Sequence, residues 1–199
     1  MAKKKEEMLK SLPPAPTMLE LGAYWGHYSM WLQKVCPNAS CHLVEPEKVN
    51  LEAGKRNFEE NNFKGKFTHA FVGKGKFSVD NYIKQNKLKK LDVLHSDIQG
   101  YEVEMLNDCK KAFTNRLIDR VFVSTHSNVL HLASLEVLKS HGYIIEVSSN
   151  YDSETTSNDG IIFASSPDIA PLFTDFKPLG RLEIANASAS ELAEYVASI

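Results

Sequence analysis

Thr17-Met-Leu-Glu-Leu-Gly-Ala-Tyr-Trp-Gly-His-Tyr-Ser-Met-Trp31 decides how the chain is read. A short apolar run ends in Glu20-Leu21-Gly22, a second glycine follows at Gly26, and an apolar helical pattern begins there. That order is a buried strand, a tight turn and a helix start, the first unit of an open α/β sheet. Gly22 lets a ligand lie against the backbone where a Cβ would block it. The spacing is not the G-x-G-x-x-G that holds a pyrophosphate, and no Gly-Lys-Ser/Thr follows, which disfavours dinucleotides and nucleoside triphosphates. A bare βα turn without a ligand is the plain alternative.

Further strands follow. Cys41-His-Leu-Val-Glu-Pro46 reads as a second strand ending in an acid, where doubly wound folds place a carboxylate for ribose hydroxyls. Glu45 is the expected ribose ligand, and Pro46 stops the strand before a charged, helix-favouring stretch from Glu47 to Asn61. Lys66–Val72 alternates as a third strand, and Leu91–Asp97 is a fourth that carries Asp97 to its carboxyl end. An acid ahead of the glycine suits a ligand with a positive centre and ribose hydroxyls, and S-adenosylmethionine fits that description. The cofactor candidates are Glu20, Gly22, Tyr24, Gly26, Glu45, Pro46, Val72 and Asp97.

Leu21-Gly-Ala-x-x-Gly26, Val44-Glu-Pro46 and Asp97-Ile-Gln-Gly-Tyr-Glu102 together resemble the FkbM-type family of S-adenosylmethionine-dependent methyltransferases. Phe122-Val-Ser-Thr-His126 agrees with that family's fifth strand, which often ends in His. The likeness spans about residues 17 to 165. It implies a Rossmann-like class I methyltransferase fold: a mostly parallel seven-stranded sheet in the order 3-2-1-4-5-7-6, with helices on both faces. It also implies methyl transfer to a hydroxyl of a small metabolite, polyketide or sugar. The chain departs from the family at Tyr24, where Asn is usual, and at Gln99, where Glu is usual.

The 199 residues allow one domain with a full core, here 17–199 behind a leader of residues 1–16 that ends in Pro13-Pro-Ala-Pro16. A net charge of −2 argues against nucleic acid as a partner, and Lys3–Lys5 and Lys87, Lys89 and Lys90 read as solvated surface. No apolar run is long enough for a membrane helix, so no membrane partner is expected. The N-terminus lacks an apolar signal core. Three cysteines without metal spacing suit a reducing, cytoplasmic location.

Later in the chain, Tyr101–Phe113 reads as a helix and Ile118–Ser124 as a fifth strand. His131–His141 is a helix with Leu132, Leu135 and Leu138 inward and Gly142 at its end. Residues 143–147 and 161–164 are strands six and seven. The Ser-, Asn- and Asp-rich segment between them, Ser148–Gly160, reads as a mobile loop and candidate lid. The tail from Pro178 reads as a loop before a last helix capped by Ser190. The short leader and this loop leave an open substrate side that a second subunit of a homodimer could close.

Transfer from a sulfonium requires that the acceptor be aligned and its proton removed. His126 is the expected base, with Asp97 positioning it or the substrate. Trp25, Tyr101 and Glu102 are candidate substrate contacts, Glu102 having helix capping as its alternative role. His131 and His141 read as surface residues. With Gln99 in place of a carboxylate no metal is expected, although magnesium can manage with one or two carboxylates. The competing functions are an NAD- or nucleotide-sugar-dependent oxidoreductase, which lacks the glycine fingerprint and a Tyr-x-x-x-Lys pair, and a non-catalytic binding module that keeps the sheet.

Overall fold

In the computed structural model, which describes residues 11–73, 75–173 and 179–198, the apolar runs become strands. These are β1 (Thr17–Leu21), β2 (Ser40–Glu45), β3 (Gly65–His69), β4 (Leu91–Ser96), β5 (Ile118–Thr125), β6 (Ile144–Ser149) and β7 (Gly160–Ser165). They form one sheet in the order β3-β2-β1-β4-β5-β7-β6, as expected. Pairing from β3 through β5 is parallel, whereas β7 runs antiparallel to both β5 and β6, so the sheet is mixed.

Period-two alternation sends neighbouring residues to opposite faces. Met18, Leu43, Val93 and Phe122 pack against α1 (His27–Val35) and α2 (Lys48–Glu60) through Leu32 and Phe58. Leu19, Leu21, Val44, Leu94, Val121 and Val123 face α3 (Val79–Gln85), α4 (Glu102–Asp108), α5 (Lys110–Thr114) and α6 (Asn128–Ser140). Leu19, Leu21, Leu43 and Leu94 are fully buried, each worth ~1.5–3 kcal/mol of apolar transfer. With both faces covered by helices, the carboxyl edge of the parallel strands is where open α/β sheets of this kind take their ligands.

Several expectations are corrected. The stretch 101–113 is two helices, because Asp80 of α3 accepts the Lys111 and Ala112 amides (2.8 Å each) and starts α5 separately. α6 begins three residues early, its Leu130 amide capped by Ser127 Oγ. It ends in a Schellman turn, with Gly142 at φ 77° and bonds from Gly142 and Tyr143 to the Lys139 and Leu138 carbonyls. Its inward face is His131, Leu135 and Leu138, while Leu132 is exposed and the expected surface residue His131 is buried between Thr125 and Ser148.

The tail carries α7 (Arg181–Asn186) as well as α8 (Ala189–Ser198), and Ser188, not Ser190, caps α8 through the Glu191 amide. Residues 1–10 of the expected leader, Pro178 and Ile199 lie outside the described residues. Among the described residues no helix is long and apolar enough to cross a membrane.

Candidate functional site

The β1–α1 turn brings Gly22 to φ 71°, and a Cβ there would lie 1.8 Å from the Asp97 carbonyl oxygen. The approach of the turn to the end of β4 therefore demands a glycine by itself. Gly26, at φ 78°, is closed in the same way by Phe58 and Leu43. Being the N-cap of α1, Gly26 offers that helix no side-chain acceptor. Glu20 supplies it from β1: its Oε2 accepts the Ser29 amide (3.0 Å) and the Ser29 hydroxyl. Burial pushes the Glu20 carboxyl up to about 7 against those hydrogen bonds. At 1% exposure its carboxylate serves α1, where the sequence reading expects a cofactor ligand.

Glu45 ends β2 facing the same turn. Its Oε2 accepts the Tyr24 amide at 2.8 Å and its Oε1 the Glu47 amide at 2.9 Å. The residue is only 5% exposed, its carboxylate turned into the protein rather than out into solvent. Each carboxylate oxygen can accept more than one bond, so capacity for a hydroxyl pair remains. Tyr24 sits at φ 49° with its ring half exposed and stacked on Trp25 (4.6 Å). Pro46 is partly exposed, its carbonyl bonded to His69, while Val72 is 3% exposed within the core and offers no side chain to the crevice.

Beyond the turn, three elements converge. Asp97 follows β4, His126 follows β5, and Asp159 precedes β7. His126 Nε2 lies 3.3 Å from Asp97 Oδ1 and 3.4 Å from Asp159 Oδ1. Its Nδ1 is 2.5 Å from Glu102 Oε1, which also accepts the Gly100 amide. Glu102 is fully buried at the start of α4. It is therefore the residue that orients His126, the task expected of Asp97, and it cannot be a substrate contact. Because a carboxylate only accepts, Nδ1 carries the hydrogen and Nε2 faces the two aspartates. Burial raises the Asp97 pKa; His126 opposes this, and Asp159 and Glu102 add to it.

Asp159 and Tyr28 are the residues that the sequence reading passes over. Asp159 could have been found from topology: β7 runs antiparallel to β5 with Gly160 opposite Thr125, so its first residues return to the carboxyl edge. The loop that carries it is built rather than loose, with Thr155 2% exposed and its hydroxyl bonded to the Asp159 carbonyl. Tyr28 of α1 lies over His95 (4.2 Å), and burial, followed by the charges of Asp97, Glu20 and Asp159, raises its pKa. Tyr101 packs on Phe71 and against Gly73, and Trp25 remains half exposed beside Tyr24.

No family model matches the chain, and no curated protein sequence matches it. Solved structures do. Methyltransferase FkbM from Methylobacillus flagellatus KT aligns at 18% identity and a TM-score of 0.59 over 76% of this chain, which spans less than half (44%) of that one. Precorrin-6y C5,15-methyltransferase from Geobacter metallireducens GS-15 aligns at 18% identity and a TM-score of 0.58, covering 81% of this chain and 86% of that one. M. capricolum TrmK, solved with S-adenosyl-homocysteine, aligns at 12% identity and a TM-score of 0.58, covering 100% and 82%. At such identities the likeness speaks for the fold: the chain has the seven-stranded, Rossmann-like fold found in S-adenosylmethionine-dependent methyltransferases.

Proposed function

We propose that the protein is an S-adenosylmethionine-dependent methyltransferase of the FkbM type that acts on a hydroxyl of a small metabolite or sugar. The observation that carries this reading is that two groups of residues share the carboxyl edge of the sheet. The Gly22 turn and Glu45 lie on one side, and Asp97, His126 and Asp159 on the other, joined where the turn touches the Asp97 carbonyl. Glu45 at the end of β2 suits a ribose diol, and Tyr24 and Trp25 offer flat apolar surface beside it.

When bound, the cofactor would supply an activated methyl and its own leaving group. The chain's residues then have two tasks: to align the acceptor against the methyl and to deal with the hydroxyl proton. His126, fixed at Nδ1 by Glu102, presents Nε2 at the ends of β4 and β5 beside Asp97, so the proton-handling groups sit next to the cofactor half. The Asp97-Ile-Gln-Gly-Tyr-Glu102 element and the FkbM likeness support oxygen as the acceptor atom. The three free cysteines suit a reducing, cytoplasmic setting.

The test is incubation with isotope-labelled S-adenosylmethionine and a panel of sugars, hydroxylated metabolites and amines. Label transferred to a hydroxyl is the expected result. Label carried only on nitrogen or carbon would overturn the choice of acceptor.

A further inference from the structure

Three atoms able to ligate a metal meet at the centre of the site: His126 Nε2, Asp97 Oδ1 and Asp159 Oδ1. Glu102 Oε1 takes the Nδ1 side of the ring, which leaves Nε2 directed at Asp97 Oδ1 and Asp159 Oδ1. All three ligand atoms lie within 4.8 Å of one another. The separations of 3.3 and 3.4 Å from Nε2 approach the ~3 Å edge between neighbouring ligands around an ion with bonds of ~2.1 Å.

A second observation comes from behind the histidine. Glu102 is completely buried, and among the described residues its Oε2 has no hydrogen-bond partner although its Oε1 grips His126. Among the described residues, every ion pair formed by Asp97, Asp159 and Glu102 is with this one imidazole. Three carboxylates around a single histidine leave an excess of negative charge even when the ring is protonated. A carboxylate on the far nitrogen of a ligating histidine is the usual way to fix its orientation and strengthen it as a donor.

We propose that Asp97, His126 and Asp159 bind one divalent metal ion at the carboxyl edge of the sheet. One imidazole and two carboxylates suit Mn²⁺, Fe²⁺ or Zn²⁺, whereas Ca²⁺ takes six to eight oxygens and Cu(I) wants sulfur. Asp159 supplies the anion that Gln99 does not: Gln99 is exposed, and the loop before β7 delivers a carboxylate from the other side. The partial exposure of Asp97 and Asp159 (35% and 32%) gives an ion a path in. Use of the ion rests on the methyl-transfer reading, since it would lower the pKa of an acceptor hydroxyl bound to it; its binding does not. An ion held there would share with His126 the proton work that the sequence reading gives to a metal-free histidine base.

The experiment is calorimetric titration of the full chain with MnCl₂ and, separately, ZnCl₂, with S-adenosylhomocysteine titrated in parallel. One saturable ion per chain is expected. Asp159→Asn and His126→Gln should each weaken binding at least tenfold while circular dichroism stays native, and Glu102→Gln should weaken it by about ten- to a hundredfold. Absence of saturable binding by either metal would overturn the proposal, and so would an Asp159→Asn protein that binds like the wild type. Binding of S-adenosylhomocysteine without any metal binding would leave the methyltransferase reading standing and remove only the ion. Metal binding without S-adenosylhomocysteine binding would do the reverse.

Discussion

Gly22→Ala tests whether the β1–α1 turn is set by protein packing. At φ 71° an L-residue carries a left-handed cost of ~1–2 kcal/mol. The new Cβ would start 1.8 Å from the Asp97 carbonyl oxygen and must retreat beyond 3.0 Å, a movement of more than an ångström. Strands β1 and β4 are adjacent, so the retreat strains the bond from the Asp97 amide to the Leu21 carbonyl or that from the Gly22 amide to the Val44 carbonyl (3.0 Å each). Loss of one such bond adds about 1 kcal/mol, for a total of about 2–3 kcal/mol. At ~2–4 °C per kcal/mol for a chain of this size, Tm should fall by about 4–12 °C. Gly75→Ala is the internal control: at φ 66° it meets nothing within 4 Å and should show the left-handed cost alone. Urea denaturation of both variants separates the two terms. Equal stability of the two variants would refute the argument, since the contact with Asp97 would then carry no energy.

Glu45→Ala should weaken S-adenosylhomocysteine binding by ~1.5–3 kcal/mol, about ten- to a hundredfold. Because Glu45 also holds the Tyr24 and Glu47 amides, the ligand-free variant should be measurably less stable, with denaturation and calorimetry reading the two effects. Glu20 has a folded pKa of about 7, above its ordinary 4.5, so ionisation opposes folding. Its stabilising contribution is therefore full below pH 4.5 and is lost as the pH climbs through 7, by about 3 kcal/mol in all. Glu20→Gln should flatten that slope in denaturation curves taken between pH 4.5 and 8. His126→Ala should lower turnover by ~10²–10⁴-fold while S-adenosylhomocysteine affinity is nearly unchanged, which steady-state rates and calorimetry will show.

The edge on which the site lies was legible in the chain because it follows from where acids and glycines end apolar runs, whereas the strand order came from the family resemblance. Glu20, Gly22, Glu45 and Asp97 all stand at such ends. What each side chain does there was less legible. Glu20 and Glu45 look alike in sequence, each closing an apolar run. Glu20 lies beneath a helix whose N-cap is glycine, and Glu45 lies beneath a turn whose amide needs an acceptor. Such demands come from tertiary neighbours. The orienting role of Glu102 depended likewise on β5 placing His126 over the start of α4, and Asp159 on the antiparallel return of β7. Tyr24 and Gln99, which read as lost polar groups, both occupy left-handed backbone (φ 49° and 52°). The asparagine usual at the first position tolerates that conformation, so the turn keeps its shape although the side chain has changed.

Calorimetric titration of the full chain with S-adenosylhomocysteine, with NAD run in parallel, tests the central claim most directly. The account predicts one saturable S-adenosylhomocysteine site per chain, weakened in Glu45→Ala, and no binding of NAD. Binding of NAD with no S-adenosylhomocysteine site in a folded protein would contradict it.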